Sequence, residues 1–132
     1  VIIPILNNNK YILVRQQRVP SLGLSLEFPR GGVDHKELKE DAVLRELKEE
    51  TGASNVSEIK YLGEIYPESA TINGGIHIYM VKLQGEETYL QEDKNEIDSI
   101  EVLSEEEFKN YIKTGYIKDG ITCAAYALLK AQ

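Results

Sequence analysis

The sequence is short of three things, and each shortage removes a class of protein. It has a single cysteine, Cys123, in 132 residues, so no disulfide can close within the chain. That suits a reducing compartment, and a cytoplasmic location is the expectation. It is short of positive charge, with 15 Lys and Arg against 22 Asp and Glu and a net charge of −7. A chain this acidic is a poor partner for a bare phosphate backbone, so no nucleic acid polymer is expected to bind. An anionic small molecule would need a metal ion or local arginines to approach. Apolar runs of membrane-spanning length are missing, as is a signal-peptide pattern, so no membrane partner is expected. Internal repeats and low-complexity tracts are absent.

What is present is ordinary in bulk: 42% apolar and 28% charged residues, a globular composition. One domain spanning 1–132 is long enough for a real core. The chain opens on Val1, directly in strand-like sequence, which suggests that a preceding segment has been trimmed.

The distinctive stretch runs from Gly31 to Ala53. It reads as a glycine turn, a capped helix and a glycine stop. Asp34 serves as N-cap with Glu37 as its capping-box partner, and Gly52 stands where a left-handed C-cap is wanted. Leu38, Ala42 or Val43, and Leu47 recur at helical spacing, which turns one stripe toward a core. Glu46, Glu49 and Glu50 then share one face, three and four residues apart, in the last turn of the helix. That end of the helix dipole disfavours negative charge. A solvated acidic face softened by Arg45 and Lys48 is one reading. A bound divalent cation is the other, since magnesium accepts one or two carboxylates together with phosphate oxygens.

Glycine, five residues, Glu37, seven residues, Arg45-Glu46-Leu47, one residue, Glu49-Glu50, one residue, then Gly52 resembles the Nudix box in every polar and glycine position. Ala53 replaces a bulkier aliphatic residue, which touches packing and leaves the chemistry alone. The resemblance implies an α/β fold, a Nudix-type α/β/α sandwich with a mixed β-sheet. Pattern alone gives only an α+β or α/β class. The resemblance also implies Mg2+ or Mn2+ held by Glu46 and Glu50, with Glu49 as ligand or ligand-orienter. The main-chain carbonyl near Gly31 could add a further ligand. Glu37, Arg45 and Gly52 would be structural, Arg45 orienting a box carboxylate. A downstream carboxylate completes the metal site or acts as base in this family, and Glu96 is in the matching register. Lys94 occupies a position that can hold the base in related enzymes, so the base assignment stays open, with Glu92 and Asp93 as alternatives.

The flanks refine this. Val1 to Leu6 reads as a strand, with Pro4 favouring an edge or bulge, and Tyr11 to Val14 returns as a second strand after an Asn turn. Gln16-Gln17-Arg18 resembles the Gln-aromatic-Arg stretch of ADP-ribose-type Nudix pyrophosphatases, with Gln17 in the aromatic position. Arg18 is therefore either a phosphate clamp or a surface ion pair. Leu24, Leu26 and Phe28 alternate with Ser25 and Glu27, placing Glu27 and Arg30 off the core face. Glu27-Phe28-Pro29-Arg30-Gly31 resembles the Glu-Leu-Pro-Ala-Gly segment of the same subgroup. Glu27 and Arg30 are candidates to bind substrate, or else to pair with each other. Strands are expected over 59–66, 76–83 and 100–103. Pro67 resembles a marker of ADP-ribose pyrophosphatases, while Tyr66 keeps diadenosine-polyphosphate hydrolases in play. A helix capped by Ser104 and Glu107 should end at Gly115, and a terminal helix should run from Ile121. Gly115 to Thr122 resembles the C-terminal segment of ADP-ribose-type members.

Together these imply a metal-dependent pyrophosphohydrolase of a nucleoside diphosphate linked to another moiety, with ADP-ribose or a nucleotide sugar as the leading substrate. A Nudix enzyme for nucleoside triphosphates or dinucleoside polyphosphates is the alternative, as is a non-catalytic ADP-ribose-sensing domain. Related ADP-ribose enzymes often form homodimers through N-terminal strands, so a homodimer of open geometry is part of the expectation.

Overall fold

The structure is a computed structural model and describes residues 1–18, 23–85 and 97–132. In chain order its elements are β1 (Ile2–Ile5), β2 (Tyr11–Gln17), β3 (Leu24–Glu27), α1 (Lys39–Thr51), β4 (Val56–Ile65), β5 (Ile76–Leu83), β6 (Ile97–Leu103), α2 (Glu105–Lys113) and α3 (Gly120–Lys130). The sheet is mixed: β1 runs parallel to β5, and every other recorded pairing is antiparallel.

Strand alternation explains the layers. Odd-numbered Ile3, Tyr11 and Leu13 join Phe108 of α2 and Ala125 and Tyr126 of α3 in one buried cluster. Their even-numbered neighbours Ile2 and Ile12 join Val43 and Leu47 of α1 in another. One sheet thus feeds two cores, α1 over one face and α2 with α3 over the other, as period-two side chains require. Among the described residues no helix is long and apolar enough to cross a membrane.

β2 organises the sheet. Val14 to Gln16 pair with β3 on one side and β6 on the other, so these are its two edges. Tyr11 pairs with both Ile5 and Leu103, so β1 and β3 take the same edge in succession. This handover accounts for Pro4, which the sequence places at an edge or bulge and which lies instead in an inner strand. Val1 and Tyr79 bond across the β5 side, while the Ile2 N–H turns the other way, to the Pro29 carbonyl at 2.9 Å. Pro4 shares the orientation of Ile2, toward the side where β1 and β2 have parted, so its missing N–H breaks no ladder bond.

Three further expectations change. The N-cap of α1 is Leu38, not Asp34, and no side chain caps it. Asp34 and Glu37 instead close a turn through Lys36 at φ 65°: the Glu37 N–H meets the Asp34 carbonyl at 3.0 Å, and the Asp34 N–H meets the Glu37 carboxylate at 2.8 Å. Leu38 is accordingly 67% exposed and contributes nothing to the inward stripe, which Ala42, Val43 and Leu47 supply. Glu27, on the face opposite Leu26, is buried although the pattern sends it outward. The C-cap is as expected, Gly52 at φ 72° donating to the Lys48 carbonyl at 2.8 Å. So is the Ser104–Glu107 capping box of α2.

Candidate active site

The last two turns of α1 carry the acidic residues, and helical geometry sends them to three environments. Glu50 turns inward beneath the sheet and is 3% exposed. One carboxylate oxygen accepts from Gln16 Nε2 at 3.2 Å and the other from the Arg30 backbone N–H at 3.2 Å. Neither donor carries a formal charge. Burial pushes the Glu50 carboxyl up to about 7, and the charge of Glu46 one turn earlier adds to the rise. The two hydrogen bonds pull the other way without cancelling it.

Glu46 is half-buried against the loop before the helix. A Cβ at Gly31 would meet its carboxylate, so any other residue there would push the Glu46 carboxylate out of this position. Glu49 is exposed. Arg45 gathers these groups: its Nη1 donates to Glu46 at 2.7 Å and to Glu49 at 3.2 Å, and its Nη2 donates to the Gly32 carbonyl at 2.9 Å. Its Nε and Nη2 also grip Glu37 at 2.8 and 2.9 Å. The hydrogen bond from Arg45 holds the Glu37 carboxyl down to about 2, helped by the Asp34 N–H. The guanidinium therefore offsets part of the crowded charge and fastens the loop to the helix.

Across the same loop lies a second cluster. Glu27 is 1% exposed and sits between two guanidiniums, Arg18 Nη2 at 2.6 Å and Arg30 Nη2 at 2.7 Å. Arg30 Nη1 continues to Asp119 at 3.3 Å, and Asp119 caps α3 by accepting from the Thr122 N–H at 2.8 Å. The three residues expected to meet substrate, Arg18, Glu27 and Arg30, are thus one network. They line an open cleft of about 660 Å³ together with Arg15, Tyr116 and Lys118.

The two clusters meet at Arg30, whose backbone reaches Glu50 and whose side chain reaches Glu27. Glu96, Glu92 and Asp93 lie outside the described residues. Among the described residues, no three Asp, Glu, His or Cys side chains converge as a metal cage. Glu46 and Glu50 still form a donor set of the kind Mg2+ accepts, two carboxylates with water and phosphate completing the shell. The burial of Glu50 and its two uncharged donors suit that fit, because a bound cation would stabilise its ionised form.

Sequence reasoning placed Gln16, Tyr116, Lys118 and Asp119 within resembling segments but gave none of them a role. Gln16 was legible: it continues the Ile12, Val14 alternation as a polar residue at a buried position, which demands a partner. Asp119 is a good N-cap by type, but nothing local shows that it also holds Arg30.

The model of the NUDIX domain matches residues 1–121 of the chain. The chain belongs to the NUDIX family. Similar to this Nudix domain over nearly its whole length is a methanol dehydrogenase activator of Bacillus methanolicus, 31% identical over 132 residues, 99% of this chain and 71% of that protein. An ADP-sugar pyrophosphatase of Mus musculus is 34% identical over 97 residues, 65% of this chain and 41% of the mouse protein. The crystal structure of an ADP compounds hydrolase superposes with a TM-score of 0.77 at 19% identity, over 98% of this chain and 69% of that one. At that identity the likeness is one of fold. It agrees with the mixed sheet and helix layers described above.

Proposed function

We propose that this Nudix domain is a divalent-cation-dependent hydrolase of a nucleoside diphosphate linked to another moiety, cleaving the pyrophosphate. ADP-ribose or a related nucleotide sugar, split to AMP and a sugar phosphate, is the leading substrate. One observation carries the reading: a buried carboxylate with uncharged donors, Glu50, stands one residue's reach from a guanidinium-lined cleft. The similarity to a mouse ADP-sugar pyrophosphatase supports the substrate class.

The residues divide the work by charge. Glu46 and Glu50 would hold Mg2+ or Mn2+, with Glu49 and a carbonyl near Gly31 as further oxygen donors. Bound there, the cation would neutralise pyrophosphate charge and acidify a water. Arg45 fixes the Glu46 carboxylate, and its grip on Gly32 holds the loop that closes on that carboxylate. Arg18 and Arg30 keep N–H donors beyond those given to Glu27 and Asp119, since a guanidinium has five, and these would bind phosphate in the cleft. Glu27 holds both forks in register. A carboxylate general base, for which Glu96 is the choice, would take the proton of the attacking water.

The test is incubation with ADP-ribose, diadenosine polyphosphates and nucleoside triphosphates, with and without Mg2+. Magnesium-dependent release of AMP from ADP-ribose is expected. Preference for triphosphates or dinucleoside polyphosphates would move the substrate class. Binding of ADP-ribose with no turnover at any metal concentration would mark a sensing domain and end the hydrolase reading.

A further inference from the structure

Two large apolar side chains stand half exposed in a cleft otherwise walled by charge, Tyr116 at 50% and Leu24 at 45%. Apolar surface inside a concave polar site is where a ligand is covered. Tyr116 is also held in place. Its ring meets that of Tyr111 edge to face at 4.6 Å, and its backbone N–H donates to the Tyr111 carbonyl at 2.8 Å. Arg15 Nη2 donates to its hydroxyl at 2.7 Å while the guanidinium lies 5.2 Å from the ring centroid, and Arg15 is itself paired with Glu101. A ring held by its backbone, by the Tyr111 ring and by Arg15 gives up little further freedom when something stacks on it.

We propose that Tyr116 is the platform on which the planar nucleobase of the substrate stacks, making this turn between α2 and α3 a determinant of specificity for base-bearing diphosphates. The inference rests on the hydrolase reading and deepens it. Every base has a π face, so a tyrosine platform selects a nucleotide over a bare sugar phosphate without choosing strongly among bases. The Arg15 guanidinium lies over the ring, so the base would stack on the face turned away from it. A base placed there leaves its phosphates among Arg18 and Arg30, which line the same cleft, and Arg30 leads to Glu50.

The experiment is calorimetric titration of the full chain with AMP and with ribose 5-phosphate, alongside steady-state hydrolysis of ADP-ribose, for wild type, Tyr116→Phe, Tyr116→Leu and Tyr116→Ala. Phenylalanine keeps the π face and loses the Arg15 bond; leucine keeps bulk and loses the π face. AMP affinity should stay within about threefold in Tyr116→Phe and fall about tenfold in Tyr116→Leu and Tyr116→Ala. Ribose 5-phosphate affinity should be equal in all four, and KM should rise with kcat held. AMP affinity in Tyr116→Leu equal to wild type would overturn the proposal, as would a loss in Tyr116→Phe as large as in Tyr116→Ala. A parallel loss of ribose 5-phosphate would overturn it too, by exposing a general structural effect. Wild type that neither binds AMP nor hydrolyses ADP-ribose would remove the hydrolase reading itself, whereas normal hydrolysis indifferent to residue 116 would remove only the platform.

Discussion

Glu27 and Glu50 are both buried glutamates on opposite sides of one loop, and their surroundings are opposites. Glu27 lies between two guanidiniums, so its charge is answered inside the protein. Glu50 receives an amide and a backbone N–H, one on each oxygen, and among the described residues no guanidinium bonds to it directly; Arg18 acts on it only at a distance. The first arrangement is complete and reads as scaffold for the cleft. The second holds its carboxyl up at about 7, chiefly through burial, and is the place where the proposed cation would act. Burial alone therefore identifies neither role; the charge of the partners does.

The sharpest way to break this contrast is to neutralise each carboxylate in turn. Glu50→Gln should cut metal-dependent turnover roughly a hundred- to thousandfold, the loss of several kcal/mol of charge stabilisation, while the metal-free protein becomes no less stable. Turnover near wild type would take Glu50 out of the site. Glu27→Ala should instead unfold the protein more easily, by about 3 kcal/mol in urea titration, because two guanidiniums lose their shared partner. A change under about 1 kcal/mol would show that water replaces Glu27 freely.

A third measurement isolates the Glu50 proton. A carboxyl whose folded pKa lies above its unfolded value stabilises the fold only while protonated. That contribution is full below about 4.5 and lost as pH rises through about 7. Glu50→Gln does not titrate, so metal-free wild type should match it near pH 4.5. By pH 7.5 wild type should fall behind by on the order of 2 kcal/mol. Magnesium should close the gap, since binding requires the ionised form. A gap independent of pH would place Glu50 in water. The smallest effect expected is that of Arg45→Ala, about a tenfold loss of Mg2+ affinity by calorimetry, because a residue orienting a ligand acts at second hand.

Much of this was legible in residue order because period and caps are local. The apolar face of α1, the Gly52 stop and the Ser104 box follow from neighbours within four residues. The miss at Asp34 shows where locality ends. Its bond to Glu37 forms as a capping box would, yet the fork of Arg45, eight residues on, holds Glu37 in a turn outside the helix. Glu27 was placed off the core face, with Arg30 as a possible partner, because alternation says which face a side chain takes and not what lies over that face. There the covers are Arg18, from the end of a neighbouring strand, and Arg30, three residues on. The partners of Glu50 come from residues 16 and 30, and no spacing rule connects them to a helix ending at residue 51.

Three consecutive residues after β3 each grasp a distant part of the chain: the Phe28 N–H holds the Thr122 hydroxyl, the Pro29 carbonyl takes the Ile2 N–H, and the Arg30 N–H reaches Glu50. That tripeptide acts as a keystone, wedged where β1 and β3 trade places along β2. A shift of the keystone would be felt at once by the terminal helix, the first strand and the acidic end of α1.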